Sequence, residues 1–441
     1  MALTSNILQA LTGQGLVLLI ALALPLAYCI YQLALHPLQQ FPGPFWAKLS
    51  AIPAVLQCRK ARRSQWVQEQ HERYGSIVRI APGHVSINNP EALHQIYGHK
   101  SGFLKGPFYE DSSYENALLS PKRSTSAAGV AFDIISEYSF GYPFGFLASG
   151  RDDFNLIHTV DTRGEVLNAM GHLPQWIRPY MKYLFFDRFW YHGLQGTANL
   201  EAIGRAALGK RMAETSTLRK DLMSFLLNAK DPETGGPLPH KEIVAEAISF
   251  IVGGSDTTSS TMTSFMDFVS RNQNLQDDIY AELCEALPGP LDANWVASEE
   301  IAGKLPLLNA VLKEVMRIRP TSSTGLERVI PPGGKTVAGV FLPGGYLVSM
   351  PTVAIHHNSN IYKDAESFDP QRWLRTDASE LTKYFVPFST GPRACFCVDG
   401  NDQDPCDVAS ALQIRAYHQG TVRDERRVLY KNRRVQSERH P

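Results

Sequence analysis

The first part of the chain is uncharged and strongly apolar. No Asp, Glu, Lys or Arg precedes Lys48, and the stretch from Gly15 to Leu35 is almost entirely apolar. About 20 apolar residues in a helix, rising 1.5 Å each, cover a hydrocarbon core of roughly 30 Å. Pro25 should kink such a helix without preventing it from spanning. A cleaved signal peptide is the alternative, but that class has a basic start and a shorter apolar core.

A stiff hinge follows this predicted membrane anchor. The motif FPGP, residues 41–44, places two prolines around a glycine and should not be helical. Basic residues beside a span favour the cytoplasmic side of a membrane. Five of them follow soon after the hinge: Lys48, Arg59, Lys60, Arg62 and Arg63. We therefore expect residues 1–40 to form an anchor and hinge, with a globular body that faces the cytosol.

Two parts of the body show the pattern of β-strands. Alternating β-branched residues in IVRIAPGHVSI, residues 77–87, predict a hairpin that turns at Pro82-Gly83. Short strands are also predicted within residues 337–348, which turn at their glycines. These segments are brief, so any sheet should be small.

Helical periodicity dominates the remaining body. It begins near Glu91 and continues through most of residues 160–230. Breaks are expected at Pro174 and Pro179 within that stretch and at Pro232 just after it. A long helix is predicted over about 241–271, and another over about 305–318, ending before a proline. The predicted fold class is mainly α with small β-sheets, an α+β fold.

Charge and cysteine content exclude some functional classes. The chain has 43 basic and 43 acidic residues, so its zero net charge gives no reason to expect nucleic acid as a partner. The six cysteines are too thinly spread for a disulfide framework. Cys395, Cys397 and Cys406 lie nearest to one another, and a three-thiol metal site is one alternative. His356 and His357 are adjacent and should point in opposite directions, so we expect them to be structural.

The segment FSTGPRAC carries the first candidate chemistry. Gly391 and Pro392 predict a tight loop just before Cys395. Arg393 places a cation two residues before the thiol, which favours the thiolate. A thiolate held in a rigid turn can ligate haem iron, and Arg393 could pair with a haem propionate. Taken alone, the same pattern also suits a structural thiol.

Three charged residues could support this loop. Glu314 and Arg317 lie at i and i+3 on one helix face, where an ordinary surface ion pair is the simplest interpretation. Arg372, in the segment FDPQRW, lies between that helix and the cysteine loop in sequence. It could complete a buried Glu–Arg–Arg network that fixes the loop against the helix.

The long helix contains the sequence VGGSDTT. Gly253 and Gly254 each cost roughly 1 kcal/mol in a helix interior relative to alanine, which predicts a bend. A bend alone is one interpretation. A second is that the bend leaves room for a diatomic ligand, to which Asp256 and Thr257 would relay protons.

These three elements, in this order, resemble the cytochrome P-450 superfamily. The family pattern AGGxDTT is similar to VGGSDTT, ExxR is matched by Glu314 and Arg317, and FxxGxRxC by FSTGPRAC. The resemblance covers about residues 36–396. Within the superfamily the chain looks most like fungal benzoate 4-monooxygenases, through HERYGSIVRIAPGHVSI, IYGHKSGFLKGPFY, AFDIISEYSFGYPFG, TRGEV and MRIRPTSSTGL.

The resemblance implies a haem-thiolate monooxygenase with a cytochrome P-450 fold over residues 41–396, behind a transmembrane helix. It implies haem b (iron-protoporphyrin IX) with Cys395 as the iron ligand. Its other implied cofactor-binding residues are Arg393, Arg328, Phe388 and Gly254, with Arg328 as a propionate contact. It further implies molecular oxygen, NADPH-cytochrome P-450 reductase, a single-pass location in the endoplasmic reticulum membrane, and an aromatic acid or secondary metabolite as substrate.

The chain departs from the family pattern in two places. Family members have a longer stretch, with a propionate-contacting helix, where residues 110–130 stand here, so a deletion is indicated. Residues 397–441 are polar, end in basic residues and look unrelated to the family, as a retained intron or frameshift would make them. We expect this tail to be disordered. A working enzyme, a truncated or mis-spliced chain without stable haem, and a non-enzymatic membrane protein are the three hypotheses.

Overall fold

The computed structural model describes residues 2–108, 125–213, 221–230, 234–287 and 299–395. The tail over 397–441, the break at Pro232 and most of the indicated deletion near 110–130 lie outside these ranges. Cys397 and Cys406 also lie outside them, so the three-thiol alternative stays a prediction.

The N-terminal region forms one long helix, α1 (Ala2–Ile30), which continues through Pro25 into a π-helical turn, Tyr31–Leu35. Within it, Leu16–Leu35 has a mean hydropathy of 2.2. Among the described residues this is the one helix long and apolar enough to cross a membrane. The helix is compatible with the predicted anchor.

Helices make up most of the body. In chain order they are α2 (Phe45–Leu49), α3 (Ile52–Arg59), α4 (Arg63–Tyr74), α5 (Ala92–Tyr97), α6 (Thr125–Phe140), α7 (Phe146–Ser149), α8 (Leu156–Gly171), α9 (Arg188–Ala213), α10 (Leu222–Asn228), α11 (His240–Ser270), α12 (Gln273–Ala286), α13 (Glu299–Gly303), α14 (Pro306–Ile318), α15 (Thr352–His356) and α16 (Ala378–Thr382). Turns of 3-10 helix occupy Arg178–Tyr183, Pro370–Trp373 and Gly391–Arg393. The two helices predicted over 241–271 and 305–318 are α11 and α14.

The strands are short, as their sequence pattern predicted. They are β1 (Ile77–Ala81), β2 (His84–Ile87), β3 (Leu104–Lys105), β4 (Arg328–Val329), β5 (Lys335–Val337), β6 (Val340–Leu342) and β7 (Leu347–Ser349). One sheet has the order β1-β2-β7-β4-β3, and β5 pairs with β6 separately. The predicted hairpin is β1–β2, and Val85 lies beside Val348 where β2 runs parallel to β7.

Helix α11 is the central element of the fold. Its 31 residues extend about 46 Å. It ends at Ser270, and two residues later the side chain of Asn272 accepts from the backbone N–H of Leu275 (3.2 Å) and so caps α12. The largest apolar cluster joins α11 with α6 and α9, through residues such as Phe132, Leu200 and Ile251. The fold class is confirmed as mainly α with small sheets.

Candidate functional site

Cys395 lies at the end of a turn that the backbone fixes closely. Its N–H donates to the carbonyl of Phe388 (3.0 Å), and the N–H of Ala394 donates to Gly391 (3.0 Å). Ser389 and Gly391 both have positive φ, 64° and 76°. The thiol is partly buried, whereas Arg393 beside it is exposed. These bonds fix the backbone of Cys395 relative to Phe388.

Gly391 packs directly against the end of α5. A Cβ at this position would overlap the carbonyl oxygen of Tyr97, and the positive φ also disfavours any side chain. Phe388, at the other end of the turn, packs on an apolar cluster that includes Met316, Trp373 and Phe385. The cysteine turn therefore packs between α5 and the region around α14.

Glu314, Arg317 and Arg372 come together in the structure, inside the protein. Arg317 donates to both carboxylate oxygens of Glu314, from Nη2 (2.8 Å) and Nε (2.9 Å). Arg372 Nε donates to Oε1 (3.0 Å). The indole N–H of Trp373 and the backbone N–H of Asp369 donate as well, each over 2.9 Å. The carboxylate thus accepts five hydrogen bonds and is fully buried.

The two arginines also bind the loop that leads to the cysteine turn. Arg317 Nη1 donates to the carbonyls of His356 (2.8 Å) and Ala365 (2.7 Å). Arg372 Nη1 donates to the carbonyl of Lys363 (2.8 Å). The network therefore holds residues 356–367 to α14, which is a structural task distinct from contact with any ligand.

His356 connects this network to the cysteine turn. Its side chain is fully buried, and its Nε2 accepts from the backbone N–H of Val386 (3.0 Å). Its ring stacks on Phe385, with centroids 5.6 Å apart. Because its carbonyl accepts from Arg317, one residue joins the network to the chain just before the turn. A structural role was expected for His356, but nothing in the sequence indicated these partners.

Burial controls the protonation of His356. Desolvation, and then the positive charge of Arg317, lower its pKa from 6.5 to about 3. In the unfolded chain the imidazole binds a proton below about pH 6.5, whereas in the folded protein it stays neutral down to about pH 3. The unfolded state therefore binds more protons in that window, and stability falls as the pH is lowered through it.

Substituting His356 should flatten this pH dependence. Over the window from pH 6.5 to about pH 3, His356 contributes up to one proton, or about 1.4 kcal/mol of unfolding free energy per pH unit. His356→Asn removes that proton, so the slope should decrease by about this amount. Denaturant unfolding at a series of pH values measures it. His158→Gln, an exposed histidine on α8, is the control and should keep the wild-type slope. Equal slopes in the wild type and His356→Asn would contradict the assignment.

In the middle of α11, one stripe of the helix surface is open. Glu246 and Gly253 are exposed there, and Phe250 and Thr257 are partly exposed. Nothing lies within 4 Å of a Cβ built on Gly253. The Thr257 hydroxyl donates to the Gly253 carbonyl (2.8 Å). Along this stripe a ligand can approach the helix backbone closely at Gly253, and the hydroxyl of Thr257 lies on the same side.

Gly254 and Asp256 lie on the packed sides of the same helix. A Cβ on Gly254 would overlap the side chain of Ile135 on α6, so this glycine serves helix packing. Gly253, one residue earlier, is the glycine with open space around its Cα. Asp256 is 2% exposed, and its neighbour Thr257 is the more accessible of the two. The structure thus separates the VGGSDTT motif into an open face and a packed face.

Arg328 lies in β4, beside Val348 of β7 and Lys105 of β3. It is buried, and its guanidinium carbon lies 5.0 Å from the ring centroid of Tyr97. Its Nη1 donates to the carbonyl of Glu327 (2.9 Å). Tyr97 could not be identified from the sequence, because its hydrogen-bond partners lie more than 200 residues away in the chain.

A buried polar cluster holds the residue before Arg328. The Glu327 carboxylate lies 3.3 Å from His84 Nδ1 and 3.2 Å from His172 Nδ1. Burial, and then the charge of Arg63, lower the pKa of His172 to about 4. His172 follows α8, and His84 belongs to β2, so the cluster ties the end of α8 to the sheet next to Arg328.

These residues fit an iron porphyrin by the chemistry of their donors. Cys395 offers a thiol on a fixed turn, and thiolate is a known haem ligand. Arg328 offers a guanidinium, which suits carboxylates such as propionates. Gly253 leaves the middle of α11 without a side chain, where a flat ring can approach the backbone closely.

Comparisons with known proteins agree with this chemistry. The family model for cytochrome P-450 matches residues 115–396. Benzoate 4-monooxygenase bphA of Aspergillus niger is 32% identical over 463 residues, which cover 86% of this chain and 87% of the relative. Cytochrome P-450 monooxygenase ORF11 of Penicillium roqueforti is 28% identical, with 88% and 91% covered. Cytochrome P-450 monooxygenase ABA2 of Pyricularia oryzae is 27% identical, with 89% and 87% covered.

The matches extend over most of each relative, and all three relatives are named as monooxygenases. They give no support to the alternative of a truncated or mis-spliced, catalytically impaired chain. The resemblance found in the motifs is confirmed by the family match and by these identities. The chain belongs to the cytochrome P-450 family of monooxygenases.

Proposed function

We propose that this chain binds haem b through Cys395 and inserts one oxygen atom from molecular oxygen into a small organic substrate. Electrons would come from NADPH through a separate NADPH-cytochrome P-450 reductase. The observation that carries the proposal is the cysteine turn, fixed by its own backbone and joined through His356 to the buried Glu314 network. Bound haem supplies the redox chemistry that activates oxygen.

The chain's own residues have four tasks in this proposal. Cys395 supplies the thiolate, and exposed Arg393 favours its charged form. Arg328 holds a propionate. The hydroxyl of Thr257, on the open stripe of α11, accepts and passes protons toward the reaction site, with Asp256 as the next acid along the helix. Glu246, exposed on the same stripe, would border the space for substrate, whereas Phe250 also packs against the apolar cluster of α6 and α9.

An aromatic acid is the substrate class we favour. Support comes from the name of the 32% identical relative, a benzoate 4-monooxygenase. A small secondary metabolite is the alternative that the resemblance leaves open. The aromatic-acid proposal is tested by titrating benzoate into the ferric protein and following the Soret band. Toluene, which lacks the carboxylate, is the control. A spectral response to neither compound would contradict the aromatic-acid proposal.

Cys395→Ser should abolish the thiolate-type Soret band of the reduced, carbon-monoxide-treated protein. Serine keeps the size of the side chain but cannot supply a sulfur ligand to the iron. The measurement is an absorption spectrum of the purified full chain, with haem content determined separately. Cys284→Ser, which changes an exposed thiol on α12, is the matched control and should keep the band. A wild-type chain without haem, or a Cys395→Ser variant that retains the band, would contradict the proposal.

We also propose a single-pass location in the endoplasmic reticulum membrane, with the body in the cytosol. Support comes from α1 and from large exposed aromatic residues near it in the fold. Tyr28 of α1 donates to the Leu49 carbonyl of α2 (2.8 Å), and Trp46 of α2 is 70% exposed. Arg59 of α3 pairs with Asp187 (2.6 Å), next to Phe186, which is 74% exposed. Tryptophan and tyrosine side chains favour membrane interfaces, and Phe186 adds an exposed apolar ring.

The proposed topology predicts the result of a protease-protection experiment. In sealed microsomes, added protease should remove the body, while an epitope placed at the N-terminus stays protected. Omitting residues 1–35 should move the chain toward the soluble fraction. Protection of the body, or cleavage of the N-terminal epitope, would contradict the orientation.

A further inference from the structure

Tyr97 lies where three segments around the candidate site meet. Its hydroxyl donates to the carbonyl of Leu326 (2.8 Å) and accepts from the N–H of Met350 (3.0 Å). Burial raises the pKa of Tyr97 to about 12, so the hydroxyl keeps its proton at physiological pH. One side chain therefore joins the end of α5 to the segment before β4 and to the segment after β7.

The ring of Tyr97 supports Arg328. The guanidinium carbon lies 5.0 Å from the ring centroid, a distance at which a cation and an aromatic face attract each other. Arginine has many rotamers, and a flat ring restricts its planar guanidinium to few of them. Nη1 is held in addition by the carbonyl of Glu327 (2.9 Å). The ring and this bond together fix the direction of the guanidinium.

The backbone of Tyr97 supports the cysteine turn. Its carbonyl oxygen occupies the place that a Cβ on Gly391 would need, so the turn rests on the last residue of α5. Gly391 begins the 3-10 turn that leads to Cys395. A displacement of Tyr97 would therefore be passed to Cys395 through the backbone, and to Arg328 through the ring.

We propose that Tyr97 is a positioning residue, which sets where the guanidinium of Arg328 and the thiol of Cys395 stand relative to each other. This inference rests on the proposed function, in which one haem must reach both groups. Tyr97 would not touch the reacting atoms. It would act by keeping Arg328 and Cys395 at a fixed separation, so that one haem could bind to both.

Two substitutions separate the two parts of the side chain. Tyr97→Phe removes the hydroxyl and its two hydrogen bonds but keeps the ring under Arg328. Tyr97→Leu removes both. The full chain with haem is used, and three quantities are measured: the rate of haem transfer to an apo-globin acceptor, the share of the thiolate-type carbon-monoxide band, and the reduction potential.

We expect haem loss to become several-fold faster in Tyr97→Phe and about tenfold faster or more in Tyr97→Leu. We expect the reduction potential to shift mainly in Tyr97→Leu, because only this variant removes the ring that directs the charge of Arg328. A residue that merely stabilises the fold would lower the melting temperature without moving the potential. If Arg328→Gln is already present, adding Tyr97→Leu should change the potential much less.

Tyr142→Phe is the matched control. The Tyr142 hydroxyl donates to the carbonyl of Ala207 (3.1 Å), and Lys210 Nζ lies 3.6 Å from its ring centroid, but this tyrosine lies between α6 and α9. It should keep the wild-type rate of haem loss and the wild-type potential. If the Tyr97 variants behave like Tyr142→Phe while the wild type binds haem, the inference alone is overturned. A wild-type chain that binds no haem would overturn both this inference and the proposed function.

Discussion

Glu314→Gln is expected to destabilise the folded protein by about 3–5 kcal/mol, the usual effect of removing one partner from a buried ionic network. Glutamine keeps the size of the side chain but removes the charge that faces Arg317 and Arg372. Both arginines then remain buried with no carboxylate between them. Whole domains are stable by only about 5–15 kcal/mol, so this loss takes a large share of the folding free energy and should lower the haem content per chain.

The measurement is thermal or denaturant unfolding together with haem content per chain. The matched control is Glu201→Gln, in which a glutamate pairs with Arg205 in an exposed i,i+4 pair of α9. Removing such a pair should change stability by no more than about 0.5 kcal/mol. A Glu314→Gln protein with wild-type stability and haem content would show that the network does not support the site.

Local sequence patterns predicted the elements of this fold well. The uncharged apolar start predicted α1, and period-two alternation around Pro82-Gly83 predicted the β1–β2 hairpin. The long helix was placed over about 241–271 and is found at His240–Ser270. These predictions succeeded because helix, strand and turn preferences depend on residues within a few positions of one another.

The contacts that connect these elements do not follow from local sequence patterns. Tyr97 binds Leu326 and Met350, which are 229 and 253 positions away, and no local pattern specifies such pairs. His356 reaches Val386 over 30 positions for the same reason. Within VGGSDTT the resemblance implied Gly254 as a cofactor-binding residue, and nothing in the motif indicated that Gly253 is the glycine with open space around it. A difference of one residue rotates a side chain by about 100° around a helix, and only packing decides between the two.

Gly391→Ala should cost the protein most of its thiolate-type band, because two penalties act at this position. A left-handed backbone costs an alanine roughly 1–2 kcal/mol, and φ is 76° here. The added Cβ would also overlap the carbonyl oxygen of Tyr97, so the turn must move away from α5. A shift of roughly 1 Å at a site of this kind can lower activity about 100-fold.

Gly339→Ala separates these two penalties. Gly339 lies between β5 and β6 with φ 78°, and nothing lies within 4 Å of a Cβ built there. Gly339→Ala should therefore show only the cost of a left-handed backbone at an alanine. We expect a modest loss of stability, with haem binding and the carbon-monoxide spectrum unchanged. Gly391→Ala should lose the thiolate-type band even at temperatures where Gly339→Ala and the wild type are equally folded. If both alanine variants keep the band, contact between the turn and α5 does not position Cys395, and the sulfur is held by the remaining backbone bonds of the turn.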